Sequence, residues 1–408
     1  MKLGLVWLTL VLAGCGQGSS VVGSPSASPS PSAVPTPSDD SPRPDVLYAV
    51  LEARNNAPAN AETQQHNIVA IAGLDGYARA KATFTPRQYP VVGNAATLLA
   101  PEATIANGSV YFIDGAGTVR RLGPTGDLAV VASFPLTQKQ QEVSFAVSPD
   151  GQKLIAASLT LPNIQWPPPS PAPSPTPPGS YVLQVLEADA GGPTKALSRW
   201  DSVNSPDMLG GGGFQMLRLV GWDSEGPVAL VGAYLGTQQG LFDRQTLFGG
   251  HFAHLDLKTG LARQQILGAC PGGSANGTWT QPWSISPGGL VVCAVMNGKV
   301  SVRKPDGTKV LETSYPGASG LGGSFALSPN GRRLAMDGQV VDVAGTVIGL
   351  APSFHPQGWL DNVTVVGGIA MGPLGRCHGS FELGFVRLSA PTQVQDLGFC
   401  ADFVGVVN

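Results

Sequence analysis

From residue 45 to the C-terminus, one arrangement of apolar and polar positions recurs along the chain. A short apolar or alternating segment is followed by a turn containing glycine and then by a second short segment of the same kind. Copies begin at Asn67, Gly117, Tyr181, His251, Lys299, Gln339 and Phe381. Pairs such as Asp306-Gly307 and the run Lys258-Thr259-Gly260 supply the left-handed backbone position that tight hairpins need. The pattern predicts antiparallel β-structure, with no segment reading as a long amphipathic helix.

A sharper motif lies upstream in several copies. Phe145-Ala146-Val147-Ser148-Pro149-Asp150-Gly151-Gln152-Lys153-Leu154 is its fullest form, and Phe325-Ala326-Leu327-Ser328-Pro329-Asn330-Gly331-Arg332-Arg333-Leu334 is nearly identical. Trp283-Ser284-Ile285-Ser286-Pro287-Gly288-Gly289-Leu290 is close. Weaker forms occur at Ile105-Ala106-Asn107-Gly108, Val220-Gly221-Trp222-Asp223 and Trp359-Leu360-Asp361-Asn362. Each strong form is an apolar strand, a Ser-Pro turn and a returning strand. These motifs resemble the repeats of WD40-like and TolB-like β-propellers. The resemblance implies a blade-by-blade fold over residues 45–408 and is silent on activity. Seven copies spread over that span average about 52 residues, against roughly 40–50 for a plain four-stranded blade. An all-β, seven-bladed propeller is therefore expected, with six or eight blades as alternatives and a β-sandwich as the competing architecture. Residues 46–51 read as the second strand of blade one, and 401–407 as a spare strand after blade seven. Pairing the two would supply the missing innermost strand and close the ring.

The connections between second and third strands are uneven. Residues 52–66, 161–179, 235–250 and 371–379 are long, whereas Asn297-Gly298 typifies the short ones. We assign the long ones to blades one, two, three and seven, which would make a continuous decorated sector on one face. The loop at 161–179, containing Trp166 and several Ser-Pro pairs, is the candidate binding loop.

Composition agrees with this reading. The 54 glycines and 36 prolines disfavour helical bundles, and charged residues make up only 12% against a usual share of about 25%. A hydrophobic content of 42% can still build a core. A net charge of −3 with 24 Lys and Arg offers no electrostatic footprint for nucleic acid.

The N-terminus carries a different signal. Lys2 precedes an apolar run over residues 3–12 that ends in Leu12-Ala13-Gly14-Cys15. The run is too short to span a bilayer and fits a signal peptide. The ending resembles the lipobox of bacterial lipoprotein precursors, which implies cleavage before Cys15 and acylation of its thiol. Expected boundaries are a signal peptide at 1–14, a lipidated Cys15 with a disordered Ser/Pro-rich tether at 15–44, and the propeller at 45–408. Gly16, where an enterobacterial retention signal would have Asp, allows outer-membrane or cell-surface placement.

Four further cysteines fall at two equal spacings, Cys270 to Cys293 and Cys377 to Cys400. In an exported chain they suggest two disulfides. Of three possible pairings, the sequential one keeps each bridge within one or two adjacent blades. The absence of any Cys-x-x-Cys pair argues against a metal site. Among the histidines, His66 is expected in a loop and His355 and His378 in turns, while His251 and His254 should face opposite ways in one strand. No local catalytic, phosphate-binding or calcium-loop motif occurs. Catalytic residues therefore stay unassigned, and no cofactor or metal is expected. The leading expectation is a monomeric, membrane-tethered binding module for an envelope protein or glycan. A propeller hydrolase or lyase acting on an extracellular polymer or lactone, and a purely structural scaffold, are the alternatives.

The lipid assignment has a direct check. Cys15→Ser is expected to abolish acylation while leaving the propeller folded, and intact-mass analysis of the wild-type mature chain should show an acyl increment on Cys15. A mature wild-type mass lacking that increment would defeat the assignment.

Overall fold

The computed structural model describes residues 42–53, 66–85, 91–92, 95–96, 102–136, 141–160, 181–202, 215–235, 247–270, 280–286, 288–295, 298–315, 325–369, 377 and 382–407. Cys15, the tether at 16–41, Trp166 and His378 lie outside them. Among the described residues, no helix is long and apolar enough to cross a membrane.

The strands form five four-stranded antiparallel sheets and one seven-stranded sheet, besides a two-stranded ladder of Val91–Val92 with Ala95–Ala96. The seven-stranded sheet is two blades joined end to end. Val394–Val407 begins as the outermost strand of blade 7, beside Glu382–Arg387. It then continues as the innermost strand of blade 1, beside Leu47–Ala53. His66–Gly73 and Ala78–Thr83 complete blade 1, so the described residues form seven blades. The expected pairing of 401–407 with 46–51 is present, from Glu52 opposite Ala401 to Leu47 opposite Val407.

Ring closure is visible in the core. Seven apolar clusters are found among the described residues, each joining two consecutive blades. The second strand of blade 2, Ser109–Ile113, shows how one strand serves two interfaces. Val110 and Phe112 pack toward blade 1, while Tyr111 and Ile113 pack toward blade 3. A period of two places alternate side chains on opposite faces, and here both faces are covered. Blade strands therefore read as continuous apolar runs where they are central and as alternating ones toward the rim.

The Ser-Pro motifs fall where innermost strands turn into second strands. In blade 3, the Lys153 amide donates to Ser148 Oγ at 2.9 Å and the Gln152 amide to Asp150 Oδ1 at 3.0 Å. Blade 6 repeats the geometry, with Arg333 donating to Ser328 Oγ at 2.9 Å and Arg332 to Asn330 Oδ1 at 3.0 Å. Gly151 sits at φ +73°, and a Cβ there would lie 2.3 Å from the Tyr111 hydroxyl of blade 2. The glycine is thus required both by the turn and by the neighbouring blade. Further bonds cross between blades. Trp359 Nε1 donates to the Ala326 carbonyl at 2.9 Å, and the Leu219 amide donates to Ser144 Oγ at 2.9 Å.

One expectation is corrected. The connection at 161–180 joins Lys153–Thr160 to Tyr181–Asp189, which places it in blade 3, and 236–246 lies in blade 4. Blade 2 instead turns tightly between Ser109–Ile113 and Thr118–Leu122, with the Gly117 amide donating to the Asp114 carbonyl. The long connections therefore belong to blades 7, 1, 3 and 4, and blade 2 interrupts the sector.

Deleting residues 401–408 should remove an inner strand rather than a tail. Phe403 and Val406 leave the blade 7–blade 1 cluster, and Val404 and Val407 leave the blade 1–blade 2 cluster. The loss is expected to be several kcal/mol, comparable with a typical margin of about 5–15 kcal/mol. Thermal unfolding of the truncated and intact chains checks this, and equal melting temperatures would show the strand to be peripheral.

Candidate functional site

Second-to-third connections and the links from each outermost strand to the next blade open on the same side of the ring, here the upper face. Turns between innermost and second strands lie on the lower face. The chain enters at the lower face, where the Arg43 amide donates to Asp361 Oδ2 at 3.0 Å just ahead of Leu47–Ala53.

On the upper face, strand ends from blades 5, 6, 7, 1 and 2 bring together polar side chains that are distant in sequence. His66 opens the third strand of blade 1 and is buried. Its Nδ1 lies 3.1 Å from Glu102 Oε2, just ahead of the innermost strand of blade 2. Its Nε2 lies 3.1 Å from Asp402 Oδ2, on the closing strand. Burial pulls the imidazole toward its neutral form, but hydrogen bonds and charge from Asp402 and Glu102 outweigh it and raise its pKa to about 9. Gln357, on the innermost strand of blade 7, extends the chain. Its Oε1 accepts from the Phe403 amide at 2.7 Å, and its Nε2 donates to Asp402 Oδ1 at 3.4 Å.

Two residues earlier on the same strand, His355 Nδ1 lies 3.0 Å from Asp337 Oδ1 in the second-to-third turn of blade 6. Tyr315, which follows the outermost strand of blade 5, donates its hydroxyl to Asp337 Oδ2 at 2.8 Å. Burial, and then the hydrogen bond and charge of Asp337, hold the Tyr315 phenol well above its ordinary range. Two polar groups thus lie on this face, one joining blades 7, 1 and 2 and the other joining blades 5, 6 and 7.

Against the expectation of a loop for His66 and a turn for His355, both lie in strands, His66 pairing with Ala53 and His355 with Gly368. Opposite faces for His251 and His254 accord with the structure. His254 is buried with Nε2 at 2.9 Å from Asp223 Oδ2, whereas His251 is half-buried, with its pKa lowered by desolvation. Glu102, Asp337, Gln357, Asp402 and Tyr315 were missed, since no local motif joins them. Among the described residues, no group of three or more His, Cys, Asp or Glu could hold a metal ion. The two His66 nitrogens point to separate carboxylates rather than converging on one point.

The cysteines pair sequentially. Cys270 bonds Cys293, linking the end of blade 4 to the second strand of blade 5, with Cα atoms 5.6 Å apart. Cys377 bonds Cys400, which stands where the closing strand passes from blade 7 to blade 1.

The architecture defines the class, a β-propeller protein. No family model matches the sequence, and no curated protein is similar to it. Among solved structures, it is similar to the periplasmic gluconolactonase PpgL of Pseudomonas aeruginosa, at 13% identity over 89% of this chain and 99% of that one, with a TM-score of 0.47. It is similar to an oligogalacturonate lyase of Vibrio parahaemolyticus at 10% identity, covering 79% and 88% of the two chains with a TM-score of 0.43. BamB of Moraxella catarrhalis matches at 14% identity, covering 75% and 80% with a TM-score of 0.33. At these scores the likenesses assign neither a family nor an activity.

Asp337 should act as a joint between blades. Asp337→Ala removes the acceptor of Tyr315 and the partner of His355 and is expected to cost about 1–3 kcal/mol. A double-mutant cycle with Tyr315→Phe in denaturant unfolding should give a coupling of about 1 kcal/mol. Strict additivity would show that the contact contributes nothing.

Proposed function

We propose that the chain is a lipid-anchored, extracytoplasmic propeller that binds an envelope protein or glycan through its upper face. The observation that carries this reading is the opposition of entry and decoration. The chain joins the ring at the lower face, beside Asp361, whereas the long connections of blades 7, 1, 3 and 4 open on the upper face. The residues that lead into the ring, from Arg43 onward, therefore leave the upper-face connections uncovered. The Ser/Pro-rich segment at 16–44 would allow a separation of up to about 90 Å in an extended, polyproline-like form.

The fate of the polar side chains favours binding over catalysis. Each described histidine–carboxylate contact on the upper face joins neighbouring strands or blades, so it is committed to holding the scaffold. Loops raised on a rigid ring are the usual setting for recognition. The reading places the protein in a bacterial cell envelope, at the outer membrane or cell surface, and takes Trp166 in the blade 3 connection as the candidate contact residue.

The test is affinity capture from envelope fractions and on glycan arrays, using the acylated protein and a form lacking residues 162–178. The shortened form should lose at least one ligand retained by the full chain, with its melting temperature unchanged. Identical ligand sets would remove the blade 3 connection from the binding surface.

A further inference from the structure

His66 occupies a position that the binding proposal does not use. It belongs to the third strand of blade 1, yet its two ring nitrogens reach the start of blade 2 and the closing strand. A neutral imidazole has one N–H donor, whereas an imidazolium has two. With carboxylate oxygens 3.1 Å from both nitrogens, only the imidazolium can donate to each. Loss of the proton would set a ring lone pair against one of two carboxylates, Glu102 at 4% or Asp402 at 31% side-chain exposure, beside a largely buried ring.

We propose that His66 is a protonation latch on the upper rim of the ring: as an imidazolium it ties blade 1 to blade 2 and to the closing strand, and as a neutral ring it releases one of those ties. The release falls between the start of His66–Gly73, the entry into blade 2 at Glu102 and the closing strand at Asp402, so it loosens one sector of the upper face while the lower-face turns stay in place. The latch does not depend on what that face binds.

The surrounding groups set the direction. Glu102 comes from blade 2, together with the Asp114–Arg120 pair at 3.3 Å. The second and outermost strands of blade 1 contribute Glu52 and Lys81, paired at 2.8 Å. Asp402 lies on the closing strand, and blade 7 brings Gln357 and then His355 with Asp337. Lys81 and Arg120 each have a carboxylate partner of their own, so the carboxylates at the ring nitrogens favour the proton. A histidine whose folded pKa exceeds its unfolded value stabilises fully below the unfolded value, near 6.5, and loses that contribution as pH rises through the folded value, about 9. The window is therefore mildly alkaline.

Hydrogen exchange of the full chain between pH 6 and pH 10, corrected for intrinsic rates, tests the latch. Peptides covering 401–407 and 102–106 should open on the order of a hundredfold more readily at the upper end. In His66→Gln the same peptides should be open throughout, with a flat profile, whereas His254→Gln should keep the wild-type profile. A flat wild-type profile, or an unchanged one in His66→Gln, overturns the proposal. If His66→Gln fails to fold, 15N-histidine-labelled wild-type protein decides. Both His66 ring nitrogens should carry protons at pH 8, and a neutral ring at that pH overturns the latch.

Discussion

The strand Val394–Val407 serves two blades, and the rest of the ring depends on that sharing. A row of seven sheets packed face to face leaves two end faces bare, each lined with apolar side chains. Here the chain's last strand is the outermost of blade 7 and the innermost of blade 1. The end faces are then forced against each other, and the cluster of Tyr48, Val50, Val366, Leu383 and Phe385 forms between them. Cys400 holds the strand at the crossing point, and Gly358 leaves room on blade 7 for the Phe403 ring. Closure follows from shape as well as hydrogen bonding.

Burial of both faces of every blade also accounts for the composition. Among the described residues few charged side chains are buried (Glu102, Asp114, Glu187, Arg218 and Asp361, beside His66 and His254), in keeping with a charged share of 12%. The exceptions are instructive. His66, Glu102, Asp223 and His254 are buried or nearly so, and each has a partner of the opposite kind within hydrogen-bonding reach. A charge placed between two blades costs desolvation unless its partner is supplied by a neighbouring strand or blade. Such pairs therefore favour one register over another as much as they stabilise.

The fold was legible where its causes are local. Ser148-Pro149-Asp150-Gly151 and Ser328-Pro329-Asn330-Gly331 make their turns with their own side chains, so sequence alone identifies them. Closure by 401–407 could be read because the first blade lacked one strand and the last had one to spare. The two cysteine spacings pointed to the observed bridges. Assignment of the long connections slipped by one blade because blade 2 is compact. Its innermost strand is only Ala103–Ala106, and Asp114 caps a tight turn by accepting from the amides of Ala116 and Thr118. The polar groups escaped notice for a different reason. Asp402 meets His66 only because the ring has closed, and the expected strand pairing does not by itself say which side chain of the closing strand reaches the start of His66–Gly73.

That dependence on closure separates two kinds of polar grouping that look alike in a sequence. A catalytic constellation needs a group directed at a reacting atom, with its neighbours orienting it. In the upper-face groups, Tyr315 and His355 address Asp337 from blades 5 and 7, and Glu102 and Asp402 address His66 from blade 2 and the closing strand. The central member of each set is satisfied from two sides by different parts of the ring. Its geometry is accounted for by the joints it makes. Both sets therefore tie one blade to the next across the upper face. The ring supplies rigidity from its apolar interfaces and places its titratable groups where they report on the fit between neighbouring blades.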